Sequence, residues 1–104
     1  MHSILVTFKS AAKPQDLAGP AAEISKAIRG VKGLISKAWL AEGDTLGGFY
    51  VFSDRAAAEA YYEGEIIAGI KENPAFSDFN VRHFGMMDEF SVANGTPSKT
   101  LAER

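Results

Sequence analysis

The sequence predicts an α+β fold: a four-stranded antiparallel sheet with two helices on one face, in the order βαββαβ. Three observations predict it. Short runs rich in β-branched and aromatic residues occur at 3–9, 34–42, 46–52 and 78–87. After the first and third runs, apolar residues recur at helical spacing instead. The second and third runs are separated only by Glu42-Gly43-Asp44-Thr45, which is short enough to require an antiparallel return. This order is that of the ferredoxin-like split βαβ unit.

The first strand, 3–9, presents Ile4, Val6 and Phe8 on one side and Leu5 and Thr7 on the other, so both sides are largely apolar and should be covered. Asp16 is the expected cap of the first helix, with Pro20 tolerated in its first turn. Leu17, Ala21, Ile24 and Ile28 form its buried stripe, and Gly30 is its expected left-handed stop. Gly33 opens the second strand, whose strict alternation puts Leu34, Ser36, Ala38 and Leu40 on one face and Ile35, Lys37, Trp39 and Ala41 on the other. Gly47-Gly48 in the third strand predicts a bulge or a close approach by another group. Ser53-Asp54 starts the second helical stretch, which Gly64 and Gly69 divide and Asn73-Pro74 ends. One domain is expected over 1–92, with 93–104 as a C-terminal tail or arm. The sheet face without helices would carry large apolar groups, which predicts a homodimer packed sheet against sheet.

Composition narrows the function. The 104 residues carry 11 Lys+Arg against 13 Asp+Glu, a net charge of −2, which excludes a strongly basic nucleic-acid binder. With no Cys there is no thiolate metal site, no Fe–S cluster and no Cys nucleophile, and two His do not build a multi-histidine metal site. No metal is therefore expected. No apolar run approaches membrane-spanning length and the N-terminus lacks signal-peptide character, so a cytoplasmic protein is expected. Phosphate-binding loops, GxGxxG, HExxH and GxSxG are all absent, and no cofactor is expected.

Five residues are candidates for chemistry. Lys37 lies mid-strand on the same face as Trp39. It is either an edge lysine with a solvated head or a partly buried ammonium that orients a phenolate or enolate. Trp39 is either interface packing or a flat wall for an aromatic ligand. Tyr50 offers a phenol on the neighbouring strand, and Tyr61 lies on the apolar face of the second helix, where it lines any pocket beneath. His83 is the one interior side chain whose ordinary pKa suits a general base near neutrality, although a lone strand histidine is more often structural. Arg82 points to the opposite face.

Several strings resemble the YdhR-like mono-oxygenases of the dimeric α+β barrel superfamily. Gly33-Leu34-Ile35-Ser36-Lys37-Ala38-Trp39 is similar to that family's glycine-led strand bearing Lys-x-Trp. Gly47-Gly48-Phe49-Tyr50-Val51-Phe52-Ser53-Asp54 is similar to its Gly-Gly-x-Tyr-x-Phe-Thr-Asp, and Ala60-Tyr61 falls where the family has Ala-Tyr. The likeness spans about residues 3–92. It implies a homodimer closing into a barrel, with a pocket between sheet and helices in each subunit. It also implies a cofactor-independent monooxygenase acting on a small aromatic, quinol-like or enol substrate. In that scheme Lys37 steadies the oxyanion, and Trp39, Tyr50 and Tyr61 bind the substrate. His83 matches nothing in the family pattern, so its role as proton acceptor rests on chemistry alone. The alternatives are a non-enzymatic dimer that binds a small apolar ligand, and a purely structural dimer.

Overall fold

In the central strand β1 (His2–Ser10), the inward row His2, Ile4, Val6 and Phe8 is buried. The computed structural model describes residues 1–104, the Pro14 side chain excepted. After β1 come α1 (Ala18–Ile28), β2 (Leu34–Glu42), β3 (Thr45–Phe52), α2 (Arg55–Tyr62), α3 (Glu65–Lys71), β4 (Phe76–Gly85) and α4 (Asp88–Ala93). The sheet order is β2-β3-β1-β4, with every neighbouring pair antiparallel. This is the predicted ferredoxin-like α+β arrangement. Among the described residues no helix is long and apolar enough to cross a membrane.

The core lies between the sheet and the helices. Ile4, Leu34 and Phe52 from the sheet meet Ile28 of α1, Ala58 and Tyr61 of α2 and Ile67 of α3. Phe52, Ile4 and Leu34 are wholly buried. Asp54 caps α2 as its sequence position predicts, its carboxylate accepting from the Ala57 amide at 2.8 Å. The second helical stretch breaks once, at Gly64, and Gly69 lies inside α3. The β2–β3 loop is Gly43-Asp44, and the left-handed φ of +59° at Gly43 fits the primed hairpin turn that places glycine first.

Several local expectations are corrected. Asp16 does not cap α1: it closes a 3-10 turn, Pro14–Asp16, and the helix starts after Leu17 without a side-chain cap. Gly30 is not a left-handed stop, since its φ is not positive; the left-handed glycine of this connection is Gly33, φ +80°. The last strand runs two residues earlier than the predicted 78–87, since Phe76 is drawn onto Phe8, ring centres 4.8 Å apart. Residues beyond β4 form α4 and a 3-10 turn, Leu101–Glu103. Leu101 packs against the core, and Arg104 donates a hydrogen bond to the Ile35 carbonyl. The chain therefore returns from the β4 edge of the sheet to the β2 edge.

The pairing of β1 with β3 and of β2 with β3 passes through Gly47-Gly48 without interruption, so no bulge lies there. The irregularities lie elsewhere. In β2 the register skips between Leu34 and Ser36, leaving Ile35 as an extra residue. Leu34, Lys37, Trp39 and Ala41 consequently all face the helices, opposite Phe52, Tyr50, Gly48 and Leu46. The strict alternation had put Leu34 on the other side. In β4 the register skips opposite Phe8, next to Asp78 at φ +55°, and this puts Phe76 and Phe79 on one side.

Candidate functional site

These two bulges build one cleft. Its floor is Val6, Phe8, Trp39 and Tyr50 of the sheet, its roof is Leu17, Ala21 and Ile24 of the first helical segment, and Ile67, Ile70, Phe76 and Phe79 close the far side. The volume is ≈ 300 Å³, room for a small ring system. The lining is almost wholly apolar, and the Tyr50 hydroxyl is its one side-chain hydrogen-bonding group apart from the Trp39 indole N–H. The predicted candidates did not include the α1 wall or the two phenylalanines. The apolar stripe of α1 was legible, but a stripe does not say whether it packs or leaves a gap.

Two of the five predicted candidates, Trp39 and Tyr50, line the cleft; Lys37 and Tyr61 do not line it but stand directly behind them. Trp39 is 49% exposed at the cleft edge. The Lys37 amine stands over its indole and 5.5 Å from the Tyr50 ring centre. Lys37 Nζ is shielded from solvent and has no hydrogen-bond partner. It therefore does not have the solvated head of an ordinary edge lysine. Burial pushes its pKa down to about 7. Tyr61 donates to the Tyr50 hydroxyl at 3.0 Å, their rings 4.9 Å apart. Burial raises the pKa of both phenols, so both stay protonated. Because Tyr50 accepts from Tyr61, its own O–H proton is free to be donated. Tyr61→Phe should cost about 0.5–1.5 kcal/mol, read by urea unfolding followed on Trp39 fluorescence.

His83 stands apart. It lies on β4 opposite Ile4 and outside the cleft lining, with its Nδ1 2.8 Å from Nε2 of His2. Burial, then His83 and Arg55, hold the His2 imidazole below its ordinary pKa. Among the described residues no three His, Asp or Glu converge as metal ligands would.

The sequence pattern of the family described as "Putative mono-oxygenase ydhR" matches residues 4–97. The chain belongs to the ydhR mono-oxygenase family. No curated protein matches it. Among solved structures, a protein of unknown function from Nitrosomonas europaea, NE2512, is 25% identical. It is matched over 83% of this chain and 88% of that one, with a TM-score of 0.63. SnoaB, a cofactor-independent oxygenase from Streptomyces nogalater, is 15% identical over 82% of this chain and 91% of its own, TM-score 0.65. A MhuD variant solved with two manganese protoporphyrins per active site is 14% identical over 84% and 95%, TM-score 0.65. The last two likenesses are of fold, and one fold holding such different occupants does not fix this ydhR-family member's chemistry.

Proposed function

We propose that this ydhR-family chain is a monooxygenase that needs no bound cofactor and acts on a small aromatic, quinol-like or enol substrate held in the cleft. The observation that carries the proposal is the Lys37 amine, buried without a partner against the rings of Trp39 and Tyr50, the two residues through which it borders the apolar cleft. With a pKa of about 7, a large fraction of it is neutral at physiological pH. It takes the acidic proton of the substrate and so becomes an ammonium facing the new phenolate or enolate. One residue thus serves as base and then as counter-charge, and the attraction is strong where water is excluded. His83, whose ring is engaged by His2 rather than by Trp39 or Tyr50, has no part in this step. The substrate anion supplies the electrons that reduce O2. A methylene oxidised to a carbonyl loses two hydrogens and gains one oxygen atom, and the other oxygen leaves as water, so no external reductant enters. The fold of SnoaB supports this reading by analogy.

A homodimer belongs to the same proposal. The sheet face away from the helices leaves Leu40, Phe49 and Phe84 each about two-fifths exposed, which suits a second copy packed sheet against sheet. The nearly apolar lining also favours a second reading, a protein that retains an apolar ligand without turning it over.

The test is a titration of the intrinsic fluorescence of Trp39, the single tryptophan, with phenols, naphthoquinols and anthrones. Oxygen uptake is then measured with the compounds that bind. Saturable quenching with oxygen consumption is expected. Saturable quenching without consumption would establish the binding protein instead, and an unresponsive Trp39 across the panel would remove the cleft as a site.

A further inference from the structure

We propose that Lys37 is also a covalent capture site for apolar aldehydes, its amine condensing with the carbonyl to an imine beside Trp39 and Tyr50. This goes beyond the oxygenase reading, because the amine acts as nucleophile and no oxygen is consumed.

Position singles out this lysine. The chain has seven, and the other six are exposed; Lys9 is paired with Asp44 and Lys26 with Glu23. Lys37 alone has its nitrogen shielded from water and without an acceptor. Such an amine has little ammonium hydration to lose before it presents its lone pair, and desolvated lysines of this kind are the ones that form Schiff bases. Burial lowers its proton affinity in the same direction. Lys37 does not itself line the cleft: Trp39, which does, covers the amine, is half exposed and makes no side-chain hydrogen bond among the described residues, so a turn of the indole opens the amine to the cleft. Tyr50, directly opposite Lys37 on β3, has a free O–H to donate to the incoming carbonyl oxygen.

The chemistry balances without a further reactant. The nitrogen lone pair attacks the carbonyl carbon, a C–N bond forms and the oxygen takes a proton. That oxygen then leaves as water as C=N forms. Apolar walls favour the dehydrated product and exclude the water that would reverse it. They also select the ligand: with almost no polar lining, a charged or polyhydroxylated aldehyde loses its hydration without replacement, whereas an aryl or alkyl aldehyde loses little.

The test is reductive trapping of the full chain at pH 7 with 2-naphthaldehyde and sodium cyanoborohydride, which delivers hydride to the imine carbon and fixes it as a secondary amine. Intact mass gives the number of adducts and peptide mapping their positions, which separates Lys37 from the N-terminal amine, itself paired with Asp88. We expect Lys37 to be labelled at least ~10-fold faster than the mean of the six exposed lysines, and glyoxylate, a charged aldehyde, to show no such preference. Lys37→Arg should remove the fast adduct. Adducts spread over the exposed lysines, with Lys37 labelled no faster than they are, would overturn the proposal. So would a fast adduct that survives in Lys37→Arg. If that variant does not fold, the map of the unaltered chain decides alone. Labelling of Lys37 in a protein that consumes no oxygen with any bound phenol would refute the oxygenase reading and leave this one standing.

Discussion

Lys37→Met is expected to give a protein that is more stable at neutral pH yet at least ~100-fold slower in oxygen uptake, the loss typical of removing one charge-stabilising group from a dry site. The two effects have one cause. In the folded chain the amine titrates at about 7, against 10.5 when unfolded. Between those values the unfolded chain holds more protons, so stability rises with pH across that window. Below pH 7 both states are protonated and the whole penalty of the buried ammonium stands; above about 10.5 both are neutral and it is gone. At ~1.4 kcal/mol per pH unit the penalty is at most a few kcal/mol, and contact with the Trp39 ring offsets part of it. Methionine fills similar space without charge, so its gain in urea-unfolding free energy should be largest below pH 7 and vanish near pH 10.5. In the unaltered chain oxygen uptake should rise through pH 7 as the proposed base becomes neutral, and this limb should be missing from the variant. Lys37→Arg separates the two roles, since it keeps the cation but cannot lose its proton. A rate retained in Lys37→Arg would leave Lys37 a counter-charge only. A Lys37→Met variant less stable at every pH would show that the amine is not buried at a cost.

The sheet order was legible because each strand has its own period-two run and the Gly43-Asp44 turn fixes one pairing. Lys37, Trp39, Tyr50 and Tyr61 were legible because each is chemically unusual for its place. What alternation could not give was the cleft itself. A period-two reading assumes that every residue advances the pleat by one step, and Ile35 and the Asp78 region each break that assumption. The first break puts Leu34, a core residue, on the same face as Lys37 and Trp39; the second does the same for Phe76 and Phe79. A bulge depends on what the neighbouring strand and the returning C-terminal segment can pair with, here including the hydrogen bond from Arg104 to Ile35, and no local pattern encodes that. His83 illustrates the opposite limit. Its chemistry suited a base, but the cleft uses β2, β3, the mid-part of β1 and only the start of β4, whereas His83, toward the other end of β4, pairs with Ile4 and meets His2.

Gly47 and Gly48 lie side by side, and the same substitution should fail at each for a different reason. In a strand with free space, Gly→Ala stabilises by about 0.4–1 kcal/mol by restricting the unfolded chain. At Gly47 a Cβ would overlap the carbonyl oxygen of Val6, and would come within 3.2 Å of the Thr7 Cα, both backbone atoms of the central strand. Neither can yield without separating β3 from β1. Gly47→Ala should therefore cost about 1–3 kcal/mol, toward the upper end because backbone must move, seen as a lowered urea midpoint. At Gly48 the obstacle is a side chain: a Cβ would sit 2.7 Å from Cε1 of Tyr50 and 2.9 Å from its hydroxyl oxygen. The ring can swing away, so the global loss should be smaller. The swing would break the bond from Tyr61 and remove the hydroxyl that points a donor at the cleft. Gly48→Ala should accordingly weaken ligand binding by ~10-fold, the worth of about one hydrogen bond, in the Trp39 titration. The pair of variants thus separates sheet closure from the site. A Gly47→Ala protein more stable than the parent would contradict the close approach of β1 and β3. Unchanged ligand affinity in Gly48→Ala would mean that the position of Tyr50 does not matter to the cleft.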